Sequence, residues 1–163
     1  MYCTVYGYGF VFDKEELQLE LVMDFILHHA KVFQRTDEET QLVELMRELK
    51  GQQAAGEDIS EDLEAEMEDM ELYYQDDSSR QHGIGAVLAT IMRRETGLRF
   101  QYWPDCEGYS TEPAVLWKAT YPWEMNEKEK DLKEHRLYDI CRAYMEELGL
   151  DDDPEELEQI YPA

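Results

Sequence analysis

The sequence predicts an α+β fold in a single domain: a small, about three-stranded antiparallel sheet packed by four to five helices. Three observations carry that expectation. The N-terminus alternates large aromatics with small residues, the middle of the chain holds amphipathic stretches behind helix-capping signals, and two short apolar runs near residues 100 and 115 flank a turn-rich loop. Strands at both ends of a helical middle, without repeated strand-helix-strand alternation, separate this class from a parallel α/β fold. The length of 163 residues suits one domain, and 43% apolar with 12% aromatic content is enough to build a core despite the charge.

Residues Tyr2 to Phe12 place Tyr2, Tyr6, Tyr8, Phe10 and Phe12 against Cys3, Val5, Gly7, Gly9 and Val11, which is the period of a strand. Gly7 and Gly9 sit inside that strand with no Gly-Lys-Ser after them, so they point to a close backbone approach or a bulge, not to a phosphate loop. Asp13 and Glu16 have capping-box spacing, and Leu17, Leu21, Phe25 and Val32 beside Val22, Ile26, Ala30 and Phe33 predict one well-buried helix. Thr36 and Glu39 repeat the box before Leu42, Leu45, Met46 and Leu49, with Gly51 as the expected stop and residues 51–57 as a flexible connection.

An acidic helix is expected over residues 58–75, its narrow apolar stripe being Ile59, Leu63, Met67, Met70 and Tyr74. Ser78 or Ser79 then caps a helix carrying Ile84, Val87, Leu88 and Ile91, ended by Gly97. Leu98 to Trp103 and Ala114 to Tyr121 read as an antiparallel pair, and the N-terminal strand is expected to pair with one of them, since three strands are the minimum for a stable sheet. Asn126 and Glu129 cap a last long helix through Leu137, Cys141, Tyr144 and Leu148 to Gly149. The domain thus spans residues 1–149, and 150–163 form an acidic C-terminal tail in which Asp153, Pro154 and Glu156 suit one further helical turn.

The net charge is -24, from 39 acids against 15 bases, and it is concentrated. Between Gly51 and Ser79 there is no Lys or Arg but eleven acids occur: Glu57, Asp58, Glu61, Asp62, Glu64, Glu66, Glu68, Asp69, Glu71, Asp76 and Asp77. From Ala143 onward eight more acids occur without a base, among them Asp151, Asp152 and Asp153. On a helix rising about 1.5 Å per residue, the first run would carry one carboxylate per ~3 Å. A single strand of B-DNA carries a phosphate about every 3.4 Å. The ordinary reading of such a run is a solvated face, but a face kept for solubility mixes its signs, and like charges four residues apart destabilise a helix by a few tenths of a kcal/mol. A basic partner would offset that cost. Trp103 and Trp123 border loops and are candidate aromatic anchors for the same partner.

Catalytic constellations are thin. His28 and His29 are adjacent in the first helix, no HExxH or CxxC spacing exists, and a satisfied helix histidine is the plainer reading than a metal ligand or base. Cys106 lies among acidic neighbours, which raise a thiol pKa, while Cys3 and Cys141 fall on apolar faces. The Asp151 to Glu156 run lacks the glycine and spacing of a calcium loop. No enzyme activity, cofactor or specific metal is expected. No apolar run approaches the ~18 residues of a membrane span, and a pI of about 4.3 opposes direct binding to nucleic acid or anionic membrane, so a cytoplasmic protein with a basic protein partner is expected.

In size, acidity and charge placement, though by no motif, the chain resembles the acidic DNA-mimic inhibitors of phages and mobile elements, including anti-restriction and anti-CRISPR proteins. That resemblance implies a non-enzymatic inhibitor of a basic nuclease or nucleic-acid-binding protein. An immunity protein that neutralises a basic nuclease toxin has the same charge character, and a small enzyme without a recognisable motif is the third alternative. A homodimer is compatible with the composition.

Overall fold

The computed structural model describes residues 2–11, 19–56, 65, 83–103, 113–118, 123, 125–130 and 132–162. Among them are a four-stranded antiparallel sheet and six helices, an α+β architecture. In chain order these are β1 (Tyr2–Val11), α1 (Leu19–His28), α2 (Ala30–Phe33), α3 (Asp37–Ala55), α4 (Ile84–Thr96), β2 (Phe100–Trp103), β3 (Ala114–Lys118), α5 (Glu127–Lys130), α6 (Glu134–Glu147) and β4 (Glu155–Pro162).

The sheet order is β2-β3-β1-β4. The N-terminal strand therefore lies inside the sheet, paired with β3 through Tyr8 opposite Trp117 and Phe10 opposite Val115. Its glycines make this possible: a Cβ on Gly9 would stand 1.9 Å from the carbonyl oxygen of Val115. That is the close backbone approach expected of a glycine within an aromatic strand. On the face turned to the helices, Tyr8, Phe10, Phe100, Tyr102 and Val115 pack with Val22, Phe25 and Ile26 of α1, Val87, Leu88 and Ile91 of α4, and Cys141, Met145 and Leu148 near the end of α6. The opposite face carries a smaller apolar cluster of Trp103, Ala114 and Leu116, with Leu157 against it.

Both capping boxes that fall within the described residues form. The Glu39 amide donates to Thr36 Oγ1 at 3.2 Å while the Glu39 carboxylate accepts from the Thr36 amide at 3.0 Å, and Asn126 and Glu129 repeat the exchange at 3.0 and 3.1 Å. Gly97 and Gly149 end their helices with φ of 74° and 75°, as expected of left-handed stops.

Several elements differ from expectation. The long first helix is interrupted by a turn at His29, and α3 runs past Gly51 to Ala55, because an exposed glycine costs a helix only about 1 kcal/mol and the following Gln and Ala residues sustain it. The last helix is two, α5 and α6, separated by an extended Lys133 with φ -107° and ψ 151°. Glu129 enters the protein to bond Trp117 of β3 and Arg99 just before β2, whereas Leu137, Cys141 and Leu148 join the main core. Residues 155–162, expected as part of an acidic tail with a helical turn, form the fourth strand instead, paired with β1 from Gly9 opposite Glu155 to Tyr2 opposite Pro162. Of the acidic helix expected over 58–75 only Ala65 is described, helical and exposed, and the caps at Asp13, Ser78 and Ser79, with Cys106, lie outside the described residues. No helix among the described residues is long and apolar enough to cross a membrane.

Candidate partner-binding surface

Of the two base-free acidic stretches, the one from Glu57 to Asp77 has all its acids outside the described residues: Glu57, Asp58, Glu61, Asp62, Glu64, Glu66, Glu68, Asp69, Glu71, Asp76 and Asp77. The C-terminal stretch is described through its last acid, Glu158. It begins in the last turn of α6 with Glu146 and Glu147, passes the left-handed Gly149 and the buried Leu150, and then exposes Asp151, Asp152, Asp153, Glu155, Glu156 and Glu158. Six carboxylates thus occupy eight residues. Averaged along the chain at about 3.4 Å per residue this is one carboxylate per ~4.5 Å, although within the strand Glu155 faces away from Glu156 and Glu158.

Four contacts hold this segment in place. Arg142 Nη1 donates to the carbonyls of Leu150 at 2.8 Å and Asp152 at 3.4 Å, Tyr138 donates to Asp153 Oδ1 at 2.8 Å, and Tyr8 donates to the Pro154 carbonyl at 3.3 Å. The hydrogen bond to Asp153 raises the Tyr138 phenol pKa, because it is donated by the neutral form. Arg142 also stands 3.8 Å from Glu146, so its charge partly offsets the start of the stretch. Beyond Pro154 the ladder with β1 takes over. As the edge strand of the sheet, β4 carries charges that would also discourage edge-to-edge aggregation, which is the ordinary purpose of acids there.

Beside this strand a cavity of about 510 Å³ opens between the sheet and the connection from α5 to α6. Tyr6 and Trp117 supply aromatic walls, Leu132 and Leu137 an apolar lining, and Glu156 and Glu158 the carboxylates. The two glutamates lie opposite Tyr8 and Tyr6, on one face of β4 and roughly 6.6 Å apart along it. Aromatic faces and carboxylates both attract cations, so the groove suits a lysine or arginine side chain.

The two tryptophans expected as anchors part company. Trp123 is 77% exposed, as an anchor requires. Trp103 is 6% exposed and belongs to the apolar cluster with Ala114 and Leu116, a correction to its expected role. It is the last residue of β2, directly paired with Ala114, so the strand's alternation turns its ring onto the sheet face instead of toward a partner. Reading the residues in order also missed Tyr6, Trp117, Glu156 and Glu158 as one site. The spacing of two between the glutamates is a strand signal, masked by the Asp-Pro-Glu start that resembles a helix N-terminus.

His29 lies in the turn after α1, with Nδ1 2.7 Å from Glu95 Oε2 and Nε2 2.9 Å from Glu147 Oε2. Cys141 is buried, and burial pushes its thiol pKa up to about 12. Compared with protein-family models, with curated proteins and with solved structures, the chain matches none.

Proposed function

We propose that this protein is a non-enzymatic binding protein that occupies the nucleic-acid-binding surface of a basic partner, a nuclease or other nucleic-acid-binding protein, and so inhibits it. The observation that carries the reading is the fixed row of exposed carboxylates from Asp151 to Glu158, in a stretch without a single Lys or Arg from Ala143 onward. A surface whose acids are held before the partner arrives loses little conformational freedom on binding, which favours affinity as well as electrostatic steering. The adjacent groove at Tyr6, Trp117, Glu156 and Glu158 receives a basic side chain of the partner, and the exposed Trp123 supplies aromatic contact. In this reading the eleven acids between residues 57 and 77 add to the negative charge of the chain.

The test is a pull-down from a host lysate at low and high salt, followed by competition between the retained basic protein's nucleic acid and this chain. Mutual exclusion, with a complex that weakens steeply as salt shortens the Debye length to about 8 Å, is the expected result. Simultaneous binding of nucleic acid and this chain to the partner would refute mimicry.

A further inference from the structure

Away from the acidic edge of the sheet, three helices bring their ends together around His29. Its Nδ1 lies 2.7 Å from Glu95 Oε2 of α4, and its Nε2 lies 2.9 Å from Glu147 Oε2 of α6. His28 Nδ1 meets the other oxygen of Glu147 at 2.5 Å. Tyr144 in turn donates to Glu95 Oε1 at 2.7 Å, and the His29 ring packs against Phe25 and Tyr144 with centroids 4.5 and 5.9 Å away.

We propose that His28, His29 and Glu147 form a binding site for a divalent transition-metal ion of the zinc type, with Glu95 as the carboxylate that orients His29. One donor atom from each of the three ligands lies within 4.8 Å of the others. Tetrahedral coordination at about 2.0–2.1 Å separates neighbouring donors by about 3.3 Å. The contacts of 2.5 and 2.9 Å, made to the two different oxygens of Glu147, need to open by less than about 1 Å, and the histidine nitrogens, no more than 4.8 Å apart, need to close by at most about 1.5 Å.

The arrangement around the donors has the layering of a metal site. A ligating histidine ordinarily donates its second ring N–H to a carboxylate, which fixes the tautomer and raises the basicity of the ligating nitrogen. Here His29 presents Nε2 to Glu147 while Nδ1 faces Glu95, and Glu95 is itself held by the Tyr144 hydroxyl. His29 is nearly buried, with its side chain 10% exposed, whereas His28 is 70% exposed, so the outer side of the site is open to water as a fourth ligand. Two imidazoles and one carboxylate select zinc, nickel or copper over magnesium or calcium, which take oxygen ligands. A metal here would fasten the junction of α1 and α2 to the C-terminal ends of α4 and α6.

Without an ion, the same four groups constitute a hydrogen-bonded histidine–carboxylate network, and the experiment separates the two. The full chain, freed of metal by chelation, is titrated with Zn2+ at pH 7.5 in excess Mg2+, which occupies carboxylate-only sites on so acidic a protein. One saturable equivalent is expected. His28→Ala, at an exposed position that leaves the fold intact, should weaken binding at least tenfold, and Glu147→Gln likewise. Co2+ should give visible absorption bands in the parent protein that are lost in His28→Ala. Glu95→Gln, a change to a positioning residue, should weaken binding by roughly 10-fold to 100-fold. Absence of a saturable equivalent in Mg2+, or equal affinity and an unchanged Co2+ spectrum in His28→Ala, overturns the proposal and leaves the cluster as a hydrogen-bonded network.

Discussion

Trp117 donates its indole Nε1–H to Oε2 of Glu129 at 2.5 Å, and this contact organises the junction of sheet and helices. The Glu129 carboxylate is fully buried, yet it also accepts from Arg99 Nε at 2.8 Å and from the backbone amides of Asn126 and Arg99 at 3.1 and 3.3 Å. A buried carboxylate is tolerated only when its lone pairs are taken up this fully. Glu129→Gln keeps the shape but turns one acceptor into a donor that faces other donors. The expected loss is about 2 kcal/mol, or roughly 6 °C in Tm for a chain of this size. Thermal unfolding followed by circular dichroism checks it, and a Tm unchanged within a degree would show that the network is not what holds α5.

Acid should weaken the same contacts. Burial alone would raise the Glu129 pKa, but the bonds from Trp117, Asn126 and Arg99 outweigh it and hold the value below the ordinary 4.5. Glu39 behaves alike: burial raises it, and Arg94 with the amides of Thr36 and Arg35 brings it below 4.5. A group depressed on folding contributes stability that is complete above its unfolded pKa and is lost as pH falls through its folded one. The stability difference between the parent protein and Glu129→Gln should therefore be constant from pH 7 to about 5 and shrink below pH 4.5. Urea unfolding of both proteins across that range measures it. A difference that stays constant down to pH 3 would contradict the depressed value.

Cys141 provides a readout of core integrity. With its pKa pushed up to about 12 by burial, the thiolate fraction at pH 8 is on the order of 10⁻⁴. In a chain with Cys3→Ser and Cys106→Ser, Cys141 should be inert to a disulfide reagent under native conditions and react promptly in denaturant. Fast native labelling would mean that α6 opens readily.

Which features were legible in the sequence depends on how local their causes are. The alternation of Tyr6, Tyr8 and Phe10 identified β1, and the two capping boxes identified the starts of α3 and α5, because each rests on residues within a few positions of one another. β4 was hidden because Asp153, Pro154, Glu155 and Glu156 favour a helix start locally, and only the ladder with β1, about 150 residues away in sequence, overrides that preference. The histidine cluster was hidden for the same reason. Glu95 and Glu147 reach His29 across sequence separations of 66 and 118, so the adjacency of His28 and His29 carried no sign of their carboxylates. Trp103 was misread because a residue at a strand end borders a loop in sequence while its ring lies on the sheet.

The fourth strand also separates folding from binding at the acidic edge. A mobile tail could be removed with only a slower association rate as the consequence, but β4 covers β1, supplies Leu157 to the cluster with Trp103, and follows the Pro154 carbonyl that Tyr8 holds. Truncation after Leu150 should therefore destabilise the whole domain, lowering Tm by more than 10 °C on the ground that an edge strand and its apolar contact are lost together. Glu155→Lys, Glu156→Lys and Glu158→Lys together should do the opposite. All three side chains are exposed, and lysine is well tolerated on an edge strand, so the fold should keep its circular dichroism spectrum and its Tm within a few degrees. Binding to the basic partner should fall at least tenfold, with most of the salt dependence gone. A truncated chain with the parent Tm would remove β4 from the stable fold, and a triply reversed chain with parent affinity would move the contact surface elsewhere.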